Sequence, residues 1–373
     1  MSPGVQVFVY PEELEHVAPG ALAAQVRELG CDAVSMALSY HRGRRVFPRH
    51  GRVSTLTART VYVEPDRDRY GAIGPPSTVA RSLVEPVLRF REACANEGIA
   101  FHAWVVALHD EALAASYPGA AAHLLDGSPA GHSLCPSASD TVDFAAALAG
   151  DVAARVEPDA VDLEAGLYPA WDPAYTLTLA LEPLGEPARL LAAQCFCPSC
   201  RALLGDELEA RARSAAGPPF AERLSPDAAL TAELAAAGAL GVARLLAAVA
   251  GAVHTAGSML RVFVPGPPAQ AELQGASAAS LAAADALLFG CGPLRGDELT
   301  DRFDGARALA GRSGTVSTNW SPERTPDAYA ADARALAAAG AEGIALYNLS
   351  LVPDAGLDAF RAAAAAFRTA VPA

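Results

Sequence analysis

The chain has 373 residues, of which 52% are hydrophobic and 19% charged, and its formal net charge is −14. This composition excludes a disordered chain and is typical of a soluble, helix-rich globular protein. The negative charge, together with the lack of any tract rich in Lys and Arg, argues against nucleic acid or an anionic membrane surface as a partner.

The start of the chain and its cysteines indicate a cytoplasmic protein. The residues after Met1 run directly into a strand pattern, without a basic region, apolar core and cleavage site, so no secretory signal is expected. Seven cysteines, an odd number, fit a reducing compartment better than a disulfide framework. Charged residues and glycines interrupt the Ala-rich helical stretches, so we expect no membrane-spanning helix.

Short β-rich runs alternate with Ala/Leu/Arg-rich helical runs along the whole chain. The predicted strands, in order, are Val5–Tyr10, Ala33–Tyr40, Ile99–Leu108, Ala160–Leu167, Met259–Pro265, Asp285–Cys291, Thr315–Trp320 and Ile344–Ser350. The predicted helices include Ala21–Leu29, Ser82–Ala95, Val142–Val156, Ala228–Ala256, Leu299–Leu309, Pro326–Ala339 and Leu357–Thr369. Gly30, Gly98, Gly314 and Gly343 follow helices and are expected to be their left-handed C-caps.

Eight consecutive βα units predict a (β/α)8 TIM barrel formed by one domain, residues 1–373. An open, doubly wound sheet is the alternative, but the turn after the first strand lacks the Gly-rich phosphate loop common in that fold. About sixty residues separate strands two and three, and roughly ninety separate strands four and five. We interpret approximately 41–98 and 168–258 as insertions of the barrel, which give it long loops after strands two, three and four.

The fourth strand carries two carboxylates on one face. Val161 and Leu163 form its apolar face, while Asp162 and Glu164 share the other, because side chains alternate in a strand. Buried carboxylates are costly unless they are paired or used, and the carboxyl end of a barrel strand is where catalytic residues lie. Glu164 is therefore the main catalytic candidate. Asp162 is a second one, with a structural role tied to neighbouring groups as the alternative.

Alternation also predicts which other side chains enter the barrel. Strand one should direct Gln6, Phe8 and Tyr10 inward. On strand two the inward set is Ser35, Ala37, Ser39 and then His41. Strand seven should direct Ser317 and Asn319 inward. These polar groups converge on the same rim as Glu164. At the end of strand two, Arg42, Arg44 and Arg45 form a basic cap that either binds a carboxylate or phosphate or is solvated.

Several motifs resemble those of a known group of barrels. The segments are His102–His109 (HAWVVALH), Leu134–Ser137 (LCPS), Val161–Glu164 (VDLE) and Cys195–Cys200 (CFCPSC). Together they resemble the family 10 glycosylhydrolase-like, alanine-rich bacterial proteins over roughly residues 30–205. The resemblance implies a TIM barrel and a carbohydrate-related substrate.

The resemblance also implies a pair of catalytic carboxylates, at the ends of strands four and seven. Glu164 matches the first position, but strand seven ends without a carboxylate. The chain is then an inverting or substrate-assisted hydrolase, a lyase or isomerase with one base, or a binding protein without activity. Asp110 is the candidate second carboxylate; the alternative is that it caps the helix that follows.

The motif Cys195-x-Cys197-x-x-Cys200 places three thiols within six residues. They can hold a structural zinc ion if Cys135 or a histidine supplies a fourth ligand, and a cluster of reduced thiols is the alternative. We expect no other cofactor.

Aromatic residues also concentrate near the predicted carboxyl ends of strands, where flat rings suit a sugar face. They include Trp171. The residues expected to bind substrate are Tyr10, Tyr40, His41, His102, Trp104, His109, Tyr168, Asn319, Trp320, Tyr347 and Asn348.

The sequence thus favours a carbohydrate-active enzyme, most simply a glycoside hydrolase with Glu164 as general acid/base, acting on a small glycoside or glycosylated metabolite. Burial among apolar strand residues is expected to raise the pKa of Glu164, as an acid role at neutral pH requires. The alternatives are a catalytically silent carbohydrate-binding barrel and a lyase or isomerase on a sugar-bearing metabolite.

Overall fold

Eight parallel strands close into a barrel in the computed structural model, which describes residues 4–169, 194–215 and 228–371. The barrel strands are β1 (Gly4–Val9), β2 (Ala33–Tyr40), β3 (Ala100–Val106), β4 (Ala160–Glu164), β5 (Met259–Val264), β6 (Ala286–Gly292), β7 (Thr315–Asn319) and β8 (Gly343–Tyr347). Each pairs in parallel with its sequence neighbours, and β1 pairs with both β2 and β8, which closes the barrel. The predicted (β/α)8 barrel is confirmed.

Helices surround the strands in the predicted alternation. Their bounds are α1 (Pro19–Glu28), α2 (Arg81–Asn96), α3 (Glu111–Ser116), α4 (Ser139–Val156), α5 (Pro198–Ala215), α6 (Ala228–Thr255), α7 (Pro268–Leu273), α8 (Gly296–Ala310), α9 (Pro326–Ala338) and α10 (Asp354–Ala370). The sequence pattern predicted seven of these. Of the other three, α3 was considered only as the helix that Asp110 would cap, and α5 and α7 were not among the predicted helices.

The alternation of side chains along the strands is confirmed. On β1, Val5 and Val7 are fully buried in the large cluster between strands and helices. Phe8 instead joins Trp104 in a second, smaller cluster inside the barrel. Since side chains alternate between two faces, this division fixes which residues reach the site.

Two of the four predicted glycine caps are wrong. Gly30 and Gly98 have positive φ of 78° and 67°, as C-caps do. Gly311 and Gly340 are the positive-φ glycines after α8 and α9. Gly314 and Gly343 lie instead where backbones approach closely: a Cβ would lie 2.6 Å from the Leu287 carbonyl oxygen at Gly314 and 2.6 Å from the Gly4 carbonyl oxygen at Gly343.

The connections after β2 and β3 contain small sheets. After β2, Gly43–Phe47 and Arg52–Leu56 form an antiparallel hairpin, and Thr60–Val61 pairs with the end of β2. Thr78–Val79 pairs with Thr60–Val61 in parallel. After β3 and α3, Ala121–His123 pairs with Pro129–Leu134. These segments build the walls around the carboxyl ends of the barrel strands.

Within the described residues, one helix is long and apolar enough to cross a membrane by length and composition alone. It is α6, over Ala229–Thr255, where an 18-residue window has a mean hydropathy of 1.8. The helix packs against α4, and its residues Leu245, Leu246 and Val249 are fully buried in the core. A core helix of this kind meets the same criteria of length and composition as a membrane span.

Candidate active site

Asp162 lies at the floor of the barrel interior, where it is 2% exposed. Its Oδ2 accepts hydrogen bonds from Ser35 Oγ at 2.6 Å and Gln6 Nε2 at 2.9 Å. Arg261, its register partner on β5, places Nε 3.4 Å from Asp162 Oδ1. His102 Nδ1 lies 3.8 Å from Asp162 Oδ2 and contacts the Arg261 guanidinium. Burial and Arg261 lower the pKa of His102 to about 4, so its imidazole is neutral at pH 7.

Asp162 was a catalytic candidate and His102 a substrate-binding candidate, but this buried network gives both a structural position. Neither side chain lines the clefts described below. Arg261 was missed in the sequence, although it alternates with the apolar residues Leu260 and Val262 and therefore points to the interior. The network holds the lower barrel together.

Glu164 lies two residues further along β4, at the carboxyl end, and is partly exposed. Its Oε2 accepts a hydrogen bond of 2.6 Å from the indole Nε1 of Trp104. Burial raises the pKa of Glu164 from 4.5 to about 7, and the bond from Trp104 opposes this shift. The direction is the one expected from sequence. A carboxyl with this pKa can both give and take a proton near neutral pH.

Aromatic rings from four strands surround Glu164. The ring centroids of Trp104 and Phe8 are 5.1 Å apart in an edge-to-face arrangement. Tyr10 hydroxyl lies 2.8 Å from the Tyr347 hydroxyl and 3.2 Å from the Tyr40 hydroxyl. Burial raises the pKa of all three tyrosines above the usual value of 10, so they are neutral hydrogen-bonding groups at pH 7.

A buried arginine packs against two rings of this aromatic cluster. The guanidinium carbon of Arg45 lies 3.9 Å from the ring centroid of Tyr10 and 4.4 Å from that of Tyr40. Its Nη1 donates to both carboxylate oxygens of Glu12, at 2.8 and 2.9 Å. Tyr62 also donates to Glu12, at 2.6 Å. The sequence left open whether Arg45 binds a ligand or is solvated. It does neither, because it is buried and pairs with Glu12 of the same chain.

Glu164 borders two hollows at the carboxyl end of the barrel. The first, which we name the Asn319 cleft, has a volume of about 440 Å³ and is lined by Trp104, Asn319 and Tyr347 among others. The second, the Tyr168 cleft, has a volume of about 340 Å³. Its lining residues include His109, His132, Tyr168, Gln270 and Gln274. Among the described residues, Glu164 is the one carboxylate that lines either cleft.

Three histidines gather beside the Tyr168 cleft. The rings of His41 and His109 stack with centroids 4.3 Å apart, and His132 lies edge-on to His109 at 5.7 Å. Burial lowers the pKa of His41 to about 4 and that of His109 to about 3. Both rings are therefore neutral at pH 7. His109 lines the Tyr168 cleft and offers a ligand a flat, uncharged ring, whereas His41 lines neither cleft.

Asp110 is placed as a structural carboxylate and does not line either cleft. Its Oδ1 accepts from Leu113 N at 2.9 Å and so caps α3, which is the alternative that the sequence left open. Its Oδ2 accepts from Arg59 Nε at 2.6 Å. Arg59, which the sequence analysis missed, also donates to Ser39 Oγ and to the carbonyl oxygens of Ala107 and His109.

The predicted residues of β7 and β8 divide between the cleft and the structure around it. Asn319 and Tyr347 line the Asn319 cleft. Trp320 packs against the main core. Asn348, joined to Tyr347 by a cis peptide bond, is 1% exposed and accepts from Ser350 N through its side chain. Trp171 lies outside the described residues.

Four cysteines form a buried cluster behind the Tyr168 cleft. The sulfur atoms of Cys135, Cys195, Cys197 and Cys200 all lie within 4.8 Å of one another. All seven cysteines of the chain are buried and free. The cluster unites the predicted motif with Cys135, one of the candidate fourth ligands. Tyr168 contacts it, since its hydroxyl lies 3.3 Å from Cys200 Sγ.

The fold and site define a (β/α)8 barrel in which Glu164, at the carboxyl end of β4, is the one carboxylate among the described residues that lines the two clefts. No family model and no curated protein matches the chain. Among solved structures, it is similar to the catalytic domain of β-amylase from Paenibacillus polymyxa, with 11% identity, a TM-score of 0.59 and 100% of both chains covered.

Two further barrels are similar in fold. For β-galactosidase from the psychrophilic Marinomonas ef1, the identity is 13% and the TM-score 0.58, with 97% of this chain and 59% of that one covered. For α-L-fucosidase isoenzyme 2 from Paenibacillus thiaminolyticus, the values are 14% and 0.52, with 97% and 49% covered. The chain thus spans about half to three fifths of these two proteins. At such identities the similarity defines the fold, and the neighbours are glycoside hydrolases.

Proposed function

We propose that the protein is a glycoside hydrolase that acts on a small glycoside or glycosylated metabolite, with Glu164 as its general acid/base. The observation that carries the proposal is the position of Glu164 at the junction of two clefts, where burial raises its pKa to about 7. A general acid that must deliver a proton at neutral pH needs a pKa in this range.

The lining of the clefts supports a sugar-like ligand. On one side of Glu164 the cleft is lined by the rings of Trp104, Tyr40 and Tyr347, and on the other by those of Tyr168 and His109. Rings of this kind stack on the apolar faces of sugars while polar edges bind hydroxyl groups. Because Glu164 lies between the clefts, a glycosidic oxygen beside it would leave one substituent in each.

The proposal must also account for the group that acts together with Glu164. Retaining and inverting glycosidases both use two carboxylates in most families, whereas substrate-assisted enzymes use a group of the substrate itself. Since Glu164 is the one carboxylate lining the clefts among the described residues, a substrate-assisted reaction fits this lining best. The same observation favours the second candidate function, a carbohydrate-binding barrel without turnover.

The proposed location is the cytoplasm, because its reducing conditions suit the seven free thiols.

The test is the variant Glu164→Gln, assayed on a panel of glycosides with poor and with activated leaving groups. We expect kcat on the poor leaving groups to fall about 10²–10⁴-fold, because the amide keeps the shape but cannot deliver a proton. A nitrophenyl leaving group needs little protonation and should recover much of the loss. The matched control is Glu323→Gln, which alters an exposed carboxylate in the loop after β7.

Two outcomes would contradict the proposal. Near-normal turnover of Glu164→Gln on a poor leaving group would remove Glu164 as the acid. Binding of a glycoside by the unaltered protein, without turnover of any member of the panel, would favour the carbohydrate-binding alternative.

A further inference from the structure

The four clustered cysteines come from two distant parts of the chain. Cys135 directly follows the strand Pro129–Leu134, in the connection between β3 and β4. The other three lie in the connection between β4 and β5: Cys195 and Cys197 just before α5, and Cys200 in its first turn. Cys135 Sγ lies 3.4 Å from Cys200 Sγ and 3.5 Å from Cys197 Sγ. Folding, and not sequence proximity alone, completes the set of four.

The spacing of the sulfur atoms fits one tetrahedral metal ion. With Zn–S bonds of about 2.3 Å, the ligands of a tetrahedral zinc ion lie about 3.8 Å apart. The observed pairs are close to this value, and the largest separation among the four is below 4.8 Å. A disulfide would need sulfurs about 2.05 Å apart. Four thiolates, without an open position for water, are the ligand set of structural zinc.

Groups around the cysteines orient the sulfur atoms as the outer shell of a metal site does. The backbone N of His123 donates to Cys195 Sγ at 3.3 Å, and the backbone N of Ser137 donates to Cys135 Sγ at 3.4 Å. All four cysteines are buried, with 5% exposure or less. Such a shell excludes water and fixes the direction of each ligand.

We propose that Cys135, Cys195, Cys197 and Cys200 bind one zinc ion, which links the two connections and holds Tyr168 in the wall of the Tyr168 cleft. The zinc site would fix the position of Tyr168, because the Tyr168 hydroxyl contacts Cys200 Sγ and lies 2.5 Å from Ser137 Oγ. His132 and Ser133, which also line this cleft, lie three and two residues before Cys135. The zinc ion therefore ties together two walls of the cleft.

Zinc binding itself stands apart from the proposed function; only the effect on a sugar ligand rests on it. The first experiment measures metal content by mass spectrometry of the untagged protein purified from zinc-supplemented cells. We expect one zinc per chain. Cys200→Ser should lose it, while Cys94→Ser, which alters a buried cysteine of α2 outside the cluster, should retain it. Since imidazole is also a zinc ligand, Cys197→His should retain metal even if Cys200→Ser fails to fold.

The second experiment replaces zinc by Co²⁺ and records the absorption spectrum. Tetrahedral thiolate ligation predicts intense sulfur-to-cobalt charge-transfer bands, which Cys200→Ser should lose and Cys94→Ser should keep. Removing zinc with a chelator should lower Tm and raise KM more than it changes kcat. A protein that stays metal-free in excess zinc, or a disulfide between Cys135 and Cys200 in the protein as purified, would overturn the proposal. If no glycoside is turned over, metal content and the cobalt spectrum still decide it.

Discussion

Asp162 and Glu164 lie two residues apart on the same face of β4, yet their surroundings are opposite. Asp162 accepts two hydrogen bonds and faces Arg261 in the barrel interior, away from the two clefts. Glu164 accepts one, from Trp104, at the open end, and its pKa is raised to about 7 by burial. A carboxylate surrounded by partners is a structural group. A carboxylate with few partners and a raised pKa, at the edge of a cleft, can exchange a proton near neutral pH.

The largest effect on stability is expected where the partners of Asp162 are removed. Arg261→Met leaves a buried carboxylate without its cation, which typically costs about 3–5 kcal/mol. We expect the free energy of unfolding, measured by urea denaturation, to fall by this amount. The double variant Asp162→Leu, Arg261→Met should recover most of the loss, because apolar residues often replace a buried ion pair without cost. A single variant as stable as the parent would remove the distinction between the two carboxylates.

The pH dependence of activity should sharpen the other side of the comparison. The acid form of Glu164 is required, so kcat/KM is expected to fall about tenfold for each pH unit above 7. Trp104→Phe removes the hydrogen bond that lowers the pKa of Glu164. The pKa should therefore rise, and the fall in activity should move to higher pH. A shift to lower pH in the pH–rate profile would show that this bond does not stabilise the carboxylate.

A smaller effect is expected at the rim of the Asn319 cleft. Asn319→Ala removes side-chain hydrogen-bonding groups of the kind that position sugar hydroxyls, and a neutral hydrogen bond contributes about 0.5–1.5 kcal/mol. We expect kcat/KM to fall by about 2- to 10-fold, through both KM and kcat, with the pH profile unchanged. An unchanged KM for every bound glycoside would place the sugar in the Tyr168 cleft instead.

The barrel itself follows from local patterns in the sequence. The alternation in β1 and β4, and the glycines Gly30 and Gly98 after helices, depend only on neighbouring residues, and each was read correctly. The same alternation placed Gln6 and Ser35 inside, and it would have placed Arg261 there as well, although the sequence analysis missed that residue. These features are predictable because a strand divides its own side chains between two faces.

The parts that could not be predicted depend on long-range pairing. Arg59 and Arg45 come from the connection after β2, yet they enter the interior to bind Asp110 and Glu12. A charged residue in a loop is usually solvated, and no local pattern names its partner. For Asp110 the sequence left open a catalytic role and a helix cap; the cap is local and is present, whereas the bond from Arg59 could not be predicted. Cys135 was named as one candidate ligand among others because only the fold brings it to the cluster.

The most direct test of this account is the titration of Glu164 itself. Carbon-13 NMR of protein labelled at the glutamate side-chain carboxyl, compared with Glu164→Gln, identifies its signal and midpoint. The account predicts a titration midpoint of about 7, because burial raises the pKa of this carboxyl. Since the folded pKa lies above the usual 4.5, Glu164 favours the folded state below pH 4.5, and this contribution is lost as the pH rises through 7. Glu164→Gln should remove that pH dependence. A Glu164 signal that titrates near 4.5 would contradict the account, because the carboxyl would then be ionised at neutral pH like an ordinary surface glutamate.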